Sequence, residues 1–258
     1  MRLLSTDFDG TLIGFDSDGR CSPAFAEALV RHHGAGGRWA INTGRTLDHA
    51  IAGFERFDAP VTPDFLLTNE REIYRRTPGG GWEAHGDWNA DCQRRHDDLF
   101  RIAGDMFSFV ERLKSEWGGI TVISEGGAPA GLVTETEELM DRVALALDAA
   151  EVRPAEFGYQ RNTVYLRFCH SDYHKGSALG ELSRLENIGP EEVFAAGDHF
   201  NDLSMLDGVY AKMTACPANA IDAVKERVRG SGGYVARGFW ADGVAEALGH
   251  FRRGRLPS

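Results

Sequence analysis

Two carboxylates, a glycine and a hydroxyl stand close to the start of the chain, in Asp7-Phe8-Asp9-Gly10-Thr11, just after Leu3 and Leu4. Extended alternation sends Asp7 and Asp9 to the same side, and the glycine lets backbone N–H groups face outward. Such a loop can hold a hard cation and an anion together. Three further pieces share this chemistry: Asn42-Thr43-Gly44-Arg45, His174-Lys175-Gly176 and Gly197-Asp198-His199-Phe200-Asn201-Asp202. Together they supply what phosphoryl transfer requires. A carboxylate can act as nucleophile and form an aspartyl-phosphate, the role expected of Asp7. A second can protonate the leaving oxygen and then activate water, the role expected of Asp9. Mg²⁺ takes oxygen ligands and keeps several waters. Asp7 and Asp198 are the expected ligands, with the Asp9 carbonyl a third and Asp202 orienting a bound water. Thr43 and Lys175 are expected to hold the phosphate oxygens beside a helix N-terminus, with Lys175 offsetting the crowded carboxylates.

Each piece alone has a plainer reading. Asp-x-Asp-Gly fits an ordinary turn or part of a calcium loop, although Thr11, Leu12 and Ile13 do not continue the calcium ligands. Thr-Gly-Arg fits a helix start with a surface arginine, Lys175 a solvated first-turn lysine, and the last piece a helix cap. The joint order of the four favours chemistry. Elsewhere the plain reading prevails: Arg94 to Asp98 is a solvated helix face, His32 and His33 are surface residues, and His174 and His199 are local hydrogen-bond partners.

The elements that must position these pieces alternate between strand and helix. Arg2 to Thr6 reads as β. Ser22-Pro23 reads as an N-cap with proline at the first helical position, before a helix with Phe25, Leu29 and Val30 on one face and Gly34 at its end. Arg38 to Asn42 and Asp64 to Thr68 are further strands around a helix over Thr46 to Arg56, and Ile73 to Arg75 and Trp82 to Ala84 form a hairpin. From Trp88 to Trp117 a long charged stretch predicts a helix, followed by a β-β-α-β-β run ending at Phe168. The βα rhythm resumes at Lys175. This predicts an α/β fold with a doubly wound parallel-sheet core and an inserted α+β domain, divided as 1–85 core, 86–169 insert and 170–258 core. Three of the four pieces follow a strand, and in a doubly wound sheet such ends share the ligand-binding edge.

Composition narrows the alternatives. A net charge of −11 disfavours nucleic acid and acidic membrane surfaces as partners. The four cysteines are scattered without a C-x-x-C pair, arguing against a zinc site or disulfide framework. The first strand begins at once, leaving no room for a signal peptide, and no apolar run reaches membrane-helix length. A cytoplasmic location is expected. Oligomeric state leaves no signal.

The four motifs in this order resemble the haloacid dehalogenase superfamily of phosphotransferases, in particular its Cof-type sugar-phosphatase branch. Asp-Phe-Asp-Gly-Thr matches the first motif, Asn-Thr-Gly-Arg the second, Lys175-Gly176 the third and Gly-Asp-x-x-Asn-Asp the fourth, with Met205 where the branch places one. Ala218-Asn219-Ala220, Val224-Lys225 and Asp242 to Ala245 are similar to its C-terminal pattern. The resemblance implies a Rossmann-like core and Mg²⁺-dependent hydrolysis of a small phosphorylated metabolite, a sugar phosphate. Phe8, Thr11, Gly44, Arg45 and Asn201 complete the expected substrate-binding set, with Arg45 either touching substrate or only binding neighbouring backbone. The gap between Asp7 and Thr43 is too short for a cap, so the cap belongs between Thr43 and Lys175, where it would close over the site and read the leaving group. One departure stands out: where the branch has Asn-Gly-Ala, this chain has Asn69-Glu70-Arg71. Glu72-Ile73-Tyr74 faintly resembles the sucrose-phosphate and mannosyl-phosphoglycerate phosphatases, which makes a glycosyl-phosphate an alternative substrate. A non-catalytic phosphosugar-binding module is the alternative from another class, disfavoured by the presence of both Asp7 and Asp9.

Overall fold

A computed structural model describes residues 1–14, 18–125 and 127–254. The chain divides into two compact units, Met1–Asn89 with His174–Ser258, and Ala90–Tyr173. In chain order the elements are β1 (Leu3–Thr6), α1 (Pro23–Gly34), β2 (Arg38–Asn42), α2 (Leu47–Phe57), β3 (Phe65–Thr68), β4 (Glu72–Arg76) and β5 (Trp82–Ala84). They continue through α3 (Trp88–Ile102), α4 (Gly104–Trp117), β6 (Ile120–Glu125), β7 (Ala128–Thr134), α5 (Glu137–Asp148), β8 (Phe157–Asn162) and β9 (Tyr165–His170). The last are α6 (Lys175–Leu185), β10 (Val193–Ala196), β11 (Met213–Cys216), α7 (Asp222–Gly230), β12 (Tyr234–Val235) and α8 (Trp240–Arg253).

The first unit is built on an eight-stranded sheet, ordered β12-β11-β10-β1-β2-β3-β4-β5. Strands from β12 to β3 pair in parallel, and β4 and β5 add an antiparallel edge. Alternation along the buried strands feeds two separate cores. Leu4, Trp39, Ile41, Leu66 and Phe194 pack with Phe25, Phe57, Val244 and Leu248 on one side. Leu3, Ala40, Phe65, Val193 and Ala195 pack with Leu179, Leu182, Val224 and Val228 on the other. This is the doubly wound α/β architecture. It sets β1 between β2 and β10, so the chain leaving all three strands emerges along one sheet edge.

Local chemistry explains the helix limits. Ser22 accepts a hydrogen bond from the Phe25 N–H at 3.3 Å, with Pro23 next in line. Two expectations for α1 are corrected. Val30 is 49% exposed, and His32 is buried instead, its Nε2 2.9 Å from the Arg38 carbonyl. A Cβ on Gly37 would lie 2.2 Å from the His32 ring, so the glycine makes room for it.

The second unit carries a four-stranded antiparallel sheet, β6-β7-β9-β8, around its own core of Met106, Val110, Leu132, Met140, Val143, Phe157, Leu166 and Phe168. The long charged stretch is two helices rather than one, broken at buried Ala103 before Gly104. The junctions between units lie four residues beyond 85/86 and 169/170. Trp88 and Asn89 explain the first shift: Trp88 donates to the Arg71 carbonyl at 2.6 Å, and Asn89 accepts from the Ile73 N–H at 2.7 Å. Among the described residues no helix is long and apolar enough to cross a membrane.

Candidate active site

β1 ends at Thr6, and the Asp7 N–H donates to the Ala196 carbonyl at 2.9 Å, which carries the first motif past the end of β10. The Asp7 carboxylate accepts from Lys175 Nζ at 2.6 Å; the same ammonium donates to Asp202 at 2.7 Å. Lys175 has no exposed surface. Its place follows from the start of α6: His174 accepts from the Ser177 N–H at 3.1 Å and the Ser177 hydroxyl accepts from the His174 N–H at 3.0 Å, a reciprocal cap. Asn42 donates to the Lys175 carbonyl at 3.0 Å, tying the end of β2 to that first turn.

After β10 the chain folds back on Asp202, whose second oxygen accepts from the N–H groups of Asp198 and His199 at 2.8 and 3.0 Å. A Cβ on Gly197 would come within 2.4 Å of the Asp202 carboxyl carbon, so this loop requires glycine. Asp198 in turn accepts from the Thr11 hydroxyl at 2.7 Å. Gly10 takes φ +85°, and a Cβ there would lie 2.3 Å from an Asp198 oxygen. Asn219 closes the arrangement from the other side, donating to the Gly10 carbonyl at 2.7 Å while accepting from the Trp240 N–H at 2.9 Å.

Asp7, Asp198 and Asp202 thus offer buried carboxylate oxygens within 4.8 Å of one another. An all-oxygen donor set of this kind fits a hard divalent cation. Electrostatics points the same way. Burial raises the Asp7 carboxyl well above the ordinary carboxylate range against the pull of Lys175, with Asp202 and Asp198 adding to the rise. Burial and Asp202 push Asp198 up to about 7. For Lys175, burial works against the charge, yet Asp202 and Asp7 outweigh it and hold the ammonium above its usual value. One ammonium among three buried carboxylates leaves a deficit of positive charge that a dication would fill.

The remaining predicted residues fall differently. Asp9 is turned away from this cluster and held by Arg45, Nε to Oδ2 at 2.7 Å and Nη2 to Oδ1 at 2.5 Å, a two-pronged ion pair. Arg45 therefore binds a carboxylate, and it also donates to neighbouring backbone as expected, to the His49 carbonyl at 3.4 Å. The Phe8 side chain lies in the core: it is 1% exposed, stacks edge-on against Phe57 and lies beneath the Arg45 guanidinium at 4.9 Å. Thr11 donates its hydroxyl to Asp198 of the acidic cluster at 2.7 Å. Thr43 is 1% exposed and accepts from the Arg45 N–H at 3.2 Å. Gly44 sits against Glu70, and Asn201 donates to Glu70 at 2.8 Å.

A family model described as haloacid dehalogenase-like hydrolase matches residues 130–248, which span the third and fourth motifs. Over that stretch the chain is similar to the haloacid dehalogenase-like hydrolases. Its fold is that of the sucrose-phosphatase from Synechocystis sp. PCC6803, solved in complex with sucrose and phosphate, with a TM-score of 0.70, 19% identity and coverage of 98% and 99% of the two chains. A haloacid dehalogenase-like hydrolase from B. subtilis superposes with a TM-score of 0.64 at 16% identity, over 97% and 99% of the chains. A glucosylglycerol-phosphate synthase of Pseudomonas anguilliseptica is 27% identical over 211 residues, 81% of this chain. That stretch is only 25% of the synthase.

Two participants of this site are absent from the sequence-based set. Asn219 lies in the C-terminal pattern but carries no chemistry by type. Glu70 has a signal: it stands where the branch has glycine, and it is 6% exposed with φ +64°.

Proposed function

We propose that the chain is a Mg²⁺-dependent phosphomonoester hydrolase acting on a small phosphorylated metabolite, a sugar phosphate, through an aspartyl-phosphate on Asp7. The observation that carries this reading is the buried Asp7–Lys175–Asp202 bridge inside the cluster with Asp198. Asp7, Asp198 and the Asp9 carbonyl would hold the cation, with Asp202 orienting one of its waters. When bound, the cation supplies neutralising charge to the carboxylates and to the phosphoryl oxygens.

In this mechanism Lys175 and Thr43 hold the phosphoryl group, and Asn201 adds an amide N–H. An Asp7 oxygen attacks phosphorus as the bond to the leaving oxygen breaks. Asp9, positioned by Arg45 and protonated for this step, gives its proton to that oxygen. It then takes a proton from the water that attacks phosphorus and frees Asp7. Because Lys175 is already fixed by Asp7 and Asp202, its charge needs no reorganisation at the transition state.

A glycosyl-phosphate is the second reading of the substrate. It is favoured by a structural relative solved with sucrose and phosphate and by a sequence relative named for glucosylglycerol phosphate. The inserted unit, Ala90–Tyr173, is proposed as the part that selects the leaving group. The test is phosphate release from a panel of sugar phosphates, phosphoglycerates and glycosyl-phosphates, with Mg²⁺ and with EDTA. Release is expected only with Mg²⁺, and Asp7→Asn is expected to lower kcat by about 10³-fold or more. Release that survives EDTA, or that persists in Asp7→Asn, would overturn the assignment.

A further inference from the structure

Glu70 belongs to the loop between β3 and β4 and is preceded by Asn69, itself at φ +51°. Two successive non-glycine residues in the left-handed region are costly for residues that carry a Cβ. The loop is held in that shape from both sides. Asn69 N–H donates to the Arg45 carbonyl at 2.8 Å and Glu70 N–H to the Thr43 carbonyl at 3.0 Å, which lays the loop along the second motif. Glu72 accepts from Thr68, Asn69 and Tyr74 at 3.3, 3.0 and 3.2 Å and locks its base. The result carries the Glu70 carboxylate inward, against Gly44, where a Cβ would lie 3.2 Å from Oε1.

There Oε1 accepts from Asn201 Nδ2 at 2.8 Å, and both residues are buried. A carboxylate only accepts, so it fixes which edge of the Asn201 amide faces it. The other N–H of that amide group is then set in one direction, and Oδ1 has no partner among the described residues. Glu70 also faces Lys175 closely enough to favour its charged form. A strained backbone, a buried acceptor and an amide of fixed orientation converge on one motif residue.

We infer that Glu70 is a positioning residue that orients the Asn201 amide so that its second N–H meets a phosphoryl oxygen. The inference rests on the phosphatase reading above. It assigns the Asn-Glu-Arg turn a role in holding phosphate.

The test is calorimetric binding of inorganic phosphate to the full chain with Mg²⁺, alongside KM and kcat on the best substrate of the panel. Glu70→Gly restores a residue suited to φ +64° and so is expected to fold. It is expected to weaken phosphate binding and raise KM by about five- to tenfold, with a smaller change in kcat. Glu70→Gln keeps an acceptor of the same reach and is expected to recover most of that loss. In an Asn201→Ala background, Glu70→Gly is expected to have no further effect. Wild-type phosphate binding by Glu70→Gly, a Glu70→Gln variant as impaired as Glu70→Gly, or additive losses in the double variant would each overturn the inference. Failure of the phosphatase reading is seen separately, as a wild-type chain that binds inorganic phosphate but releases none from any substrate.

Discussion

Lys175 stands between Asp7 and Asp202 without exposed surface, and what it neutralises decides how the site responds to mutation, pH and metal. Lys175→Met would leave two buried carboxylates facing each other, a loss of about 3–5 kcal/mol measured by denaturant unfolding without metal, with part of it recovered by Mg²⁺. The acidic cluster also sets a pH dependence. Burial holds the Asp7 and Asp198 carboxyls above the ordinary carboxylate range in the folded state, Asp198 at about 7. The folded chain therefore keeps protons that the unfolded chain has released, and metal-free stability falls as pH rises from near 4 through about 7. On the proposed function, Mg²⁺ would compete with those protons. At about a hundredfold excess over Kd, its effect on Tm is expected to be about 5–10 °C at pH 8 and distinctly smaller at pH 5. An equal gain at both pH values would remove Asp198 from the ligand set. The grouping of Asp7, Lys175, Asp198 and Asp202 is legible in the sequence because strand ends converge and the residue types are unambiguous. The Arg45–Asp9 pair is not, because it depends on how closely α2 approaches the first motif.

That approach is a property of an element. Gly53 lies inside α2, where glycine costs about 1 kcal/mol relative to alanine. A Cβ there would lie 2.0 Å from Arg45 Nη1 and 3.1 Å from the Phe8 ring. Gly53→Ala is therefore expected to change stability by less than about 1 kcal/mol, because the arginine tip can shift. It should still displace Arg45 from Asp9 and lower kcat about tenfold, matching Arg45→Ala. If Gly53→Ala retains full kcat, the Arg45 clamp has no part in positioning Asp9. The core strands and the hairpin are legible from apolar runs and turn residues. The α3–α4 break is not: Ala103 is a good helix former, and the one local signal is Gly104 beside it. His32 misleads for a similar reason, since its polar type conceals a buried hydrogen bond that Gly37 makes room for.

At the scale of the molecule, the two units have separate cores that share no residue. Replacing Ala90–Tyr173 by a short Gly/Ser linker is expected to leave a folded core that still gains thermal stability from Mg²⁺, while its preference among substrates flattens. Undiminished selectivity would show that the inserted unit does not read the leaving group. The insertion is legible as a change of rhythm in the sequence, and the junction residues are displaced only because Trp88 and Asn89 bond back to the loop and strand before them.

The sheet order also has a consequence in time. β1 is made long before its parallel neighbour β10, which begins at Val193, and the Asn219 side chain that grips Gly10 comes later still. At about 5–20 residues per second, the first strand waits on the order of ten to forty seconds on the ribosome for its partner. The segment from Ala90 to Tyr173 is contiguous and can complete its own sheet during that interval. The acidic loop is thus completed only once Asn219 has been made and can pin it.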